Sequence, residues 1–175
     1  FNLRACFEEA VMKKLIVELA FMIFLYVGQS SLLPLIAFRG VSADLLLLMV
    51  VSVAFLHGAK VGTLVGFIAG LLQDLATGTF FGVDIFAKMV IGYGCGYFSR
   101  RIFKEQMMLP LMAVVAATGF QYVIWLIFSW LLGYSVNLWE HWRHLLLPML
   151  VHNVVFALPV HMGVSKLSAW MQEKK

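Results

Sequence analysis

GAKVGTLVGFIAGLLQDLATGTFFGVDIFAKMVIGYGCG, residues 58–96, sets its glycines at a four-residue step. Gly58, Gly62, Gly66 and Gly70 follow one another at that interval, and the register runs on through Asp74 to Gly78 and Gly82. Lys88, Gly92 and Gly96 repeat it further along. In water a helix-interior glycine costs about 1 kcal/mol relative to alanine. Between helices in a bilayer the same residue lets two backbones approach closely. Four residues turn an α-helix through about 400°, so the glycine stripe drifts slowly and forms a groove suited to a crossing helix. Gly62, Gly66, Gly70, Gly78, Gly82, Gly92 and Gly96 are therefore the candidate helix-packing or partner interface. The groove takes either the single span of a partner or a neighbouring helix of this chain. Gly66→Leu separates the two: a folded mutant without its partner marks an interface, and a mutant that fails to accumulate marks internal packing.

The rest of the composition agrees with a bilayer. Charged residues make up 13% of the 175 residues, against about 25% in an ordinary soluble domain. Hydrophobic residues make up 62%, and the charges cluster between apolar runs long enough for a hydrocarbon core of about 30 Å. The reading is an all-α, polytopic membrane protein. Its basic pI, near 9.2, does not point to nucleic acid, because the basic residues flank apolar segments instead of forming a soluble face. Cys6 and Cys95 are far apart and show no metal-ligand spacing, which excludes a sequence-level case for a zinc or redox motif.

Residue 1 is Phe, and Met12-Lys13-Lys14 before Leu15-Ile16-Val17 reads as a bacterial start. Residues 1–11 are expected to be an upstream extension, and 12–175 a single integral membrane domain. Six helices are expected, over about 15–38, 42–57, 59–76, 83–99, 107–132 and 143–170. The second opens at Ser42 with Asp44 in its first turn, where an acid complements the helix dipole. The last carries Pro159 in its interior, where a kink is expected. With both termini inside, Arg4, Lys13, Lys14, Lys60, Arg100, Arg101, Lys104, Lys166, Lys174 and Lys175 share the cytoplasmic side. Only Arg39 and Arg143 fall outside, a bias that the positive-inside rule rewards. Tyr134, Trp139 and Trp142 suit the outer headgroup layer. The basic loop Arg100, Arg101 and Lys104 is expected to meet anionic lipid or a cytoplasmic partner.

Ionisable residues at membrane depth are expensive and mark function by default. The third and fourth helices form an expected antiparallel hairpin about the 77–83 loop. That brings Asp74, Asp84 and Lys88 to one end, and Asp74 with Lys88 is the expected intramembrane polar pair. On this expectation Lys88→Leu lowers accumulation and added Asp74→Leu partly restores it. The same position also suits a hydrated interfacial carboxylate, or one that coordinates a substrate or relays a proton. Gln121 is expected to bond a neighbouring helix. His152, Asn153 and His161 either line a polar cavity, satisfy carbonyls freed by Pro159, or bond across helices. His141 and His144, beside Glu140, could hold a metal only with further ligands, and no HExxH accompanies them. Ser135 lies outside any G-x-S-x-G pattern, and no P-loop is present. The expectation is no enzyme, no cofactor and no metal.

Several motifs together resemble a known family, the rod shape-determining protein MreD. They are Asp44-Leu-Leu-Leu-Leu48, then Gly62-x-x-x-Gly66-Phe67-x-x-Gly70-Leu-Leu-Gln-Asp74-Leu, then Thr77-Gly78-x-x-Phe81-Gly82. Gly92-Tyr93-x-x-Gly96 followed by Arg100-Arg101 completes the pattern, which spans roughly 44–104. Ala43 stands where that family usually has a proline. The resemblance implies a protein of the bacterial inner membrane and of the cell-elongation machinery. It implies binding to MreC and a link between MreB filaments and the wall synthases RodA and a class B penicillin-binding protein. It also implies a six-helix fold like that of the substrate-binding (S) components of energy-coupling factor vitamin transporters. A transporter S component is the alternative of a different class. Such a component docks through an Ala-x-x-x-Ala face on its first helix, and ELAFMIFLYVGQSS, residues 18–31, has none. The glycines lie instead on the third and fourth helices, which favours the adaptor.

Overall fold

The computed structural model describes residues 3–37, 40–78, 80–99, 108–134 and 137–173, with backbone only for 3–15, 36, 108–109 and 172–173. The helices are α1 Leu3–Ser31, α2 Leu33–Ile36, α3 Leu45–His57, α4 Ala59–Thr77, α5 Val83–Ser99, α6 Met108–Leu131, α7 Leu138–His141 and α8 Leu147–Glu173. A π-helical turn, Trp142–Leu146, joins α7 to α8. No strand occurs among the described residues. By length and composition four segments can cross a membrane: Ile16–Leu35, Ala59–Thr77, Pro110–Leu131 and Leu138–Met171. The second and fourth expected spans are the short ones, 13 and 17 residues as α3 and α5.

The centre of the bundle is α3. Leu45 through Ala54 are all buried, and α3 packs against α1, α4, α5, α6 and α8. Its apolar residues cover the whole circumference, the pattern of a helix enclosed on every side. At about 1.5 Å per residue it is roughly 20 Å long, too short to cross a bilayer core unaided. Its neighbours enclose it over Leu45–Ala54. The segment before it is non-helical: Ala37 is extended, Gly40 has φ 79°, and residues 42–44 enter the bundle without helical bonding. Irregular backbone at membrane depth is tolerated only where protein or a cavity satisfies it. The chain thus starts α3 inside the protein, and Asp44 is its N-cap instead of lying within its first turn as expected.

One residue, Gly58, separates α3 from α4. It has φ 88°, and its N–H closes α3 by donating to Ala54 O at 2.9 Å. Side-chain-bearing residues rarely adopt that backbone, so the abrupt reversal needs glycine.

The glycine groove is filled by this chain's own fifth helix. A methyl group added at Gly62, Gly66 or Gly70 would come under 3.0 Å from Gly92 O, Lys88 O and the Asp84–Ile85 backbone respectively. The converse holds at Gly92 against Gly62, and at Gly96 against Ala59. Two backbones in direct contact leave no room for a second polypeptide between them. The reading that a partner's span lies in the groove of Gly62, Gly66 and Gly70 is corrected accordingly. Gly78 and Gly82 are not packing residues: nothing lies within 4 Å of an added methyl at either. Their φ values, 64° and 101°, make them the turn residues that end α4 and precede α5.

Candidate functional site

At the end of the bundle where α4 turns into α5, polar side chains from α1, α3, α4, α5, α6 and α8 meet. The N-terminus of α3 organises them. The first N–H groups of a helix have no intrahelical acceptor, and burying them unmatched is costly. Here each finds one. Asp44 N–H donates to Asn153 Oδ1 of α8 at 2.8 Å. Leu45 and Leu46 N–H donate to Gln29 Oε1 of α1, at 2.8 and 3.4 Å. Leu47 N–H donates to Asp44 Oδ1 at 2.9 Å, the N-cap bond. Asn153 is held in turn, donating from Nδ2 to Thr118 Oγ1 of α6 at 2.9 Å, while Thr118 donates to Val114 O. Asn153 and Thr118 are wholly buried.

The second Asp44 oxygen carries the charge network. Oδ2 accepts from Lys88 Nζ of α5 at 3.0 Å and from Gln121 Nε2 of α6 at 2.9 Å. Gln73 Nε2 of α4 approaches it at 3.4 Å. Lys88 also donates to Asp84 Oδ1 one turn earlier, at 3.0 Å, and that oxygen accepts from Gln121 at 3.2 Å. The Lys88 side chain is 0% exposed, Asp44 4% and Asp84 23%. A lysine in such surroundings persists only when paired, and this one has two carboxylates.

Asp74 is therefore not the partner of Lys88, contrary to the expected pair. Its carboxylate accepts backbone N–H groups: Gly82 at 2.8 Å, Asp84 at 3.2 Å and Ile85 at 3.2 Å. The side chain at the end of α4 thus caps the start of α5. Three backbone N–H donors at the positive end of a helix dipole satisfy the carboxylate's acceptors without any cation. Two aspartates cap two helices at the same end of the molecule, Asp44 its own and Asp74 its neighbour.

Of the remaining expected residues, Gln121 does bond neighbouring helices, and Asn153 bonds across them. His152 Nδ1 lies 2.7 Å from Pro148 O of its own helix, not from a carbonyl freed by Pro159. His141 stacks on Trp125, ring centroids 5.4 Å apart, and Arg143 lies 5.9 Å over the Trp139 ring. Arg100, Arg101 and Lys104 lie outside the described residues. Gln29 and the central position of Asp44 escaped the sequence reading. Asp84 was within reach of it, since an acid four residues before Lys88 shares its helix face.

Beside the network lies a cavity of about 260 Å³, lined by residues that include Gln29, Asp44, Gln73, Asp84, Gln121 and Tyr122. Among the described residues no group of His, Cys, Asp and Glu is arranged to hold a metal ion.

A helical bundle with four span-length apolar segments, a short helix buried over Leu45–Ala54 and an internal lysine–aspartate network belongs to the class of polytopic α-helical membrane proteins. The family model for the rod shape-determining protein MreD matches residues 10–167, nearly the whole chain. The chain belongs to the MreD family, and is a rod-shape-determining membrane protein. Searches of curated proteins and of solved structures returned no match. Of the residues that carry the family-like pattern, Asp44 and Asp74 cap α3 and α5, and Asp44 meets Lys88 and Gln73. Gly62, Gly66, Gly70, Gly92 and Gly96 seat α4 on α5, and Gly78 and Gly82 form the turn between them.

Proposed function

We propose that this protein is a non-catalytic adaptor of the bacterial cell-elongation complex in the inner membrane. It binds MreC and helps to link MreB filaments to RodA and a class B penicillin-binding protein. In this reading it crosses the membrane six times, with α3 and α5 as the two short spans and both termini cytoplasmic, in a fold akin to that of transporter S components. The family membership supports the role. The observation that carries the non-catalytic part is the use made of the buried polar groups. Asp44, Asp74 and Asn153 accept N–H groups of their own fold, and Lys88 is bound by two carboxylates. A catalytic group needs a base or nucleophile facing a substrate, and these face one another.

The solute-binding alternative has one observation in its favour, the polar cavity. Its volume falls below the roughly 300–1,000 Å³ of drug-sized ligand sites, so a vitamin would not fit without rearrangement. The adaptor reading is tested by expressing the chain in a rod-shaped bacterium depleted of its own MreD. Restored rod shape is the expected outcome, and cells that stay round would count against the reading.

A further inference from the structure

We propose that the cavity beside Asp44 and Asp84 is a receptor for a primary ammonium or guanidinium group. This goes beyond the adaptor role and does not depend on it. Three observations converge. The first is charge: Asp44 and Asp84 share one cation, Lys88, so with both carboxylates ionised the cluster carries a formal excess of one negative charge. A buried excess of that kind is costly until a further cation or its equivalent meets it. The second is unmet acceptors. Gln73 Oε1, Gln121 Oε1 and Tyr122 Oη are all buried without a hydrogen-bond partner, and all three residues line this cavity. Tyr122 is itself only 7% exposed. Gln121 gives its amide N–H groups to Asp44 and Asp84 and Gln73 gives one to Asp44, which leaves both amide oxygens without a donor. A ligand that matches them must bring donors. The third is the wall: Tyr122 and Trp125 are among the residues that line the same cavity, and aromatic side chains attract ammonium and guanidinium groups. Excess negative charge, free acceptor oxygens and aromatic rings together select a cation with several N–H donors. The space suits a headgroup-sized molecule, not a nucleotide or vitamin.

Such a group could come from an ethanolamine lipid headgroup or from a free amine. The test uses the full chain in nanodiscs of phosphatidylcholine, whose quaternary ammonium has no N–H to give. Ethylammonium chloride is titrated while thermal unfolding is followed, with tetramethylammonium chloride as the charge-matched control. The expected result is a saturable rise in Tm with ethylammonium and none with tetramethylammonium. Asp84→Asn removes the excess charge and leaves the Lys88–Asp44 pair, and should weaken the response about tenfold or more. Gln73→Leu, which removes one acceptor and keeps both carboxylates, serves as a second variant should the first not fold. Repeating the titration in phosphatidylethanolamine discs separates the sources. A response lost there identifies the lipid headgroup, and one retained identifies a free amine. No saturable response in either lipid would overturn the proposal. So would an equal response to tetramethylammonium, or one unchanged in a folded variant.

Discussion

Lys88 is the residue on which the polar interior turns. Removing its charge leaves Asp44 and Asp84 facing each other without a cation, and breaking a buried pair in this way costs about 3–5 kcal/mol. Lys88→Met should therefore lower the Tm sharply and reduce membrane accumulation. Adding Asp44→Asn should restore part of the loss, whereas adding Asp74→Leu should make it worse; rescue by the Asp74 change instead would contradict the structure. Asp74 acts on backbone N–H groups alone. Asp74→Ala should cost about 1–2 kcal/mol, the upper part of the range for a lost helix cap, because three donors lose one acceptor. Asp74→Asn, which keeps an acceptor oxygen, should cost less, and unfolding in detergent would rank the two. At this scale the sequence was half legible. It showed that Lys88 at membrane depth needs an acid, and hairpin geometry brought Asp74 to the same end. What it could not show was that Asp74 faces the N-terminus of α5 across a short turn, where N–H groups outbid a more distant ammonium. Nor could it bring Asp44 to Lys88, forty-four positions away, since only the packing of α3 against α5 does so.

Among the elements, α4 and α5 are bound by shape. Water exclusion does not drive helix association in lipid, whose tails are as apolar as leucine, so close packing has to supply the attraction. Gly66→Ala or Gly92→Ala would push the backbones apart, and either should abolish accumulation of folded protein. Gly94 is the control: an added methyl meets nothing within 4 Å, so Gly94→Ala should fold as wild type or better. Equal behaviour of Gly66→Ala and Gly94→Ala in a membrane-fraction immunoblot would contradict the packing. The four-residue glycine step made this contact legible in the sequence, though not whether the occupant was internal. Pattern alone also merged two uses of glycine. Gly62, Gly66, Gly70, Gly92 and Gly96 seat one helix on another, while Gly78 and Gly82 supply positive φ at a turn. Helix bounds were legible where apolar runs meet glycine, as at Gly58 and Gly82. They were less so at α3, because Ser42 resembles a cap and the true cap, Asp44, is recognisable only from its bond to Leu47.

For the whole molecule, a short central helix is held at both ends to α8. Asn153 accepts the Asp44 N–H at one end, and Ser168 lies 3.0 Å from His57 Nε2 at the other. In an apolar solvent these directional contacts fix the position of a helix that is equally apolar on every side. Composition and charge pattern sufficed to read an all-helical membrane protein, because the bilayer admits few architectures. Partner surfaces leave no comparable mark, since a lipid-facing and a protein-facing apolar helix face look alike in sequence. The most direct test is purification of the tagged full chain from native membranes in mild detergent, with identification of the proteins that co-elute. MreC is expected in amounts comparable to the bait. Recovery of an ATPase with a membrane coupling protein, and no MreC, would contradict it.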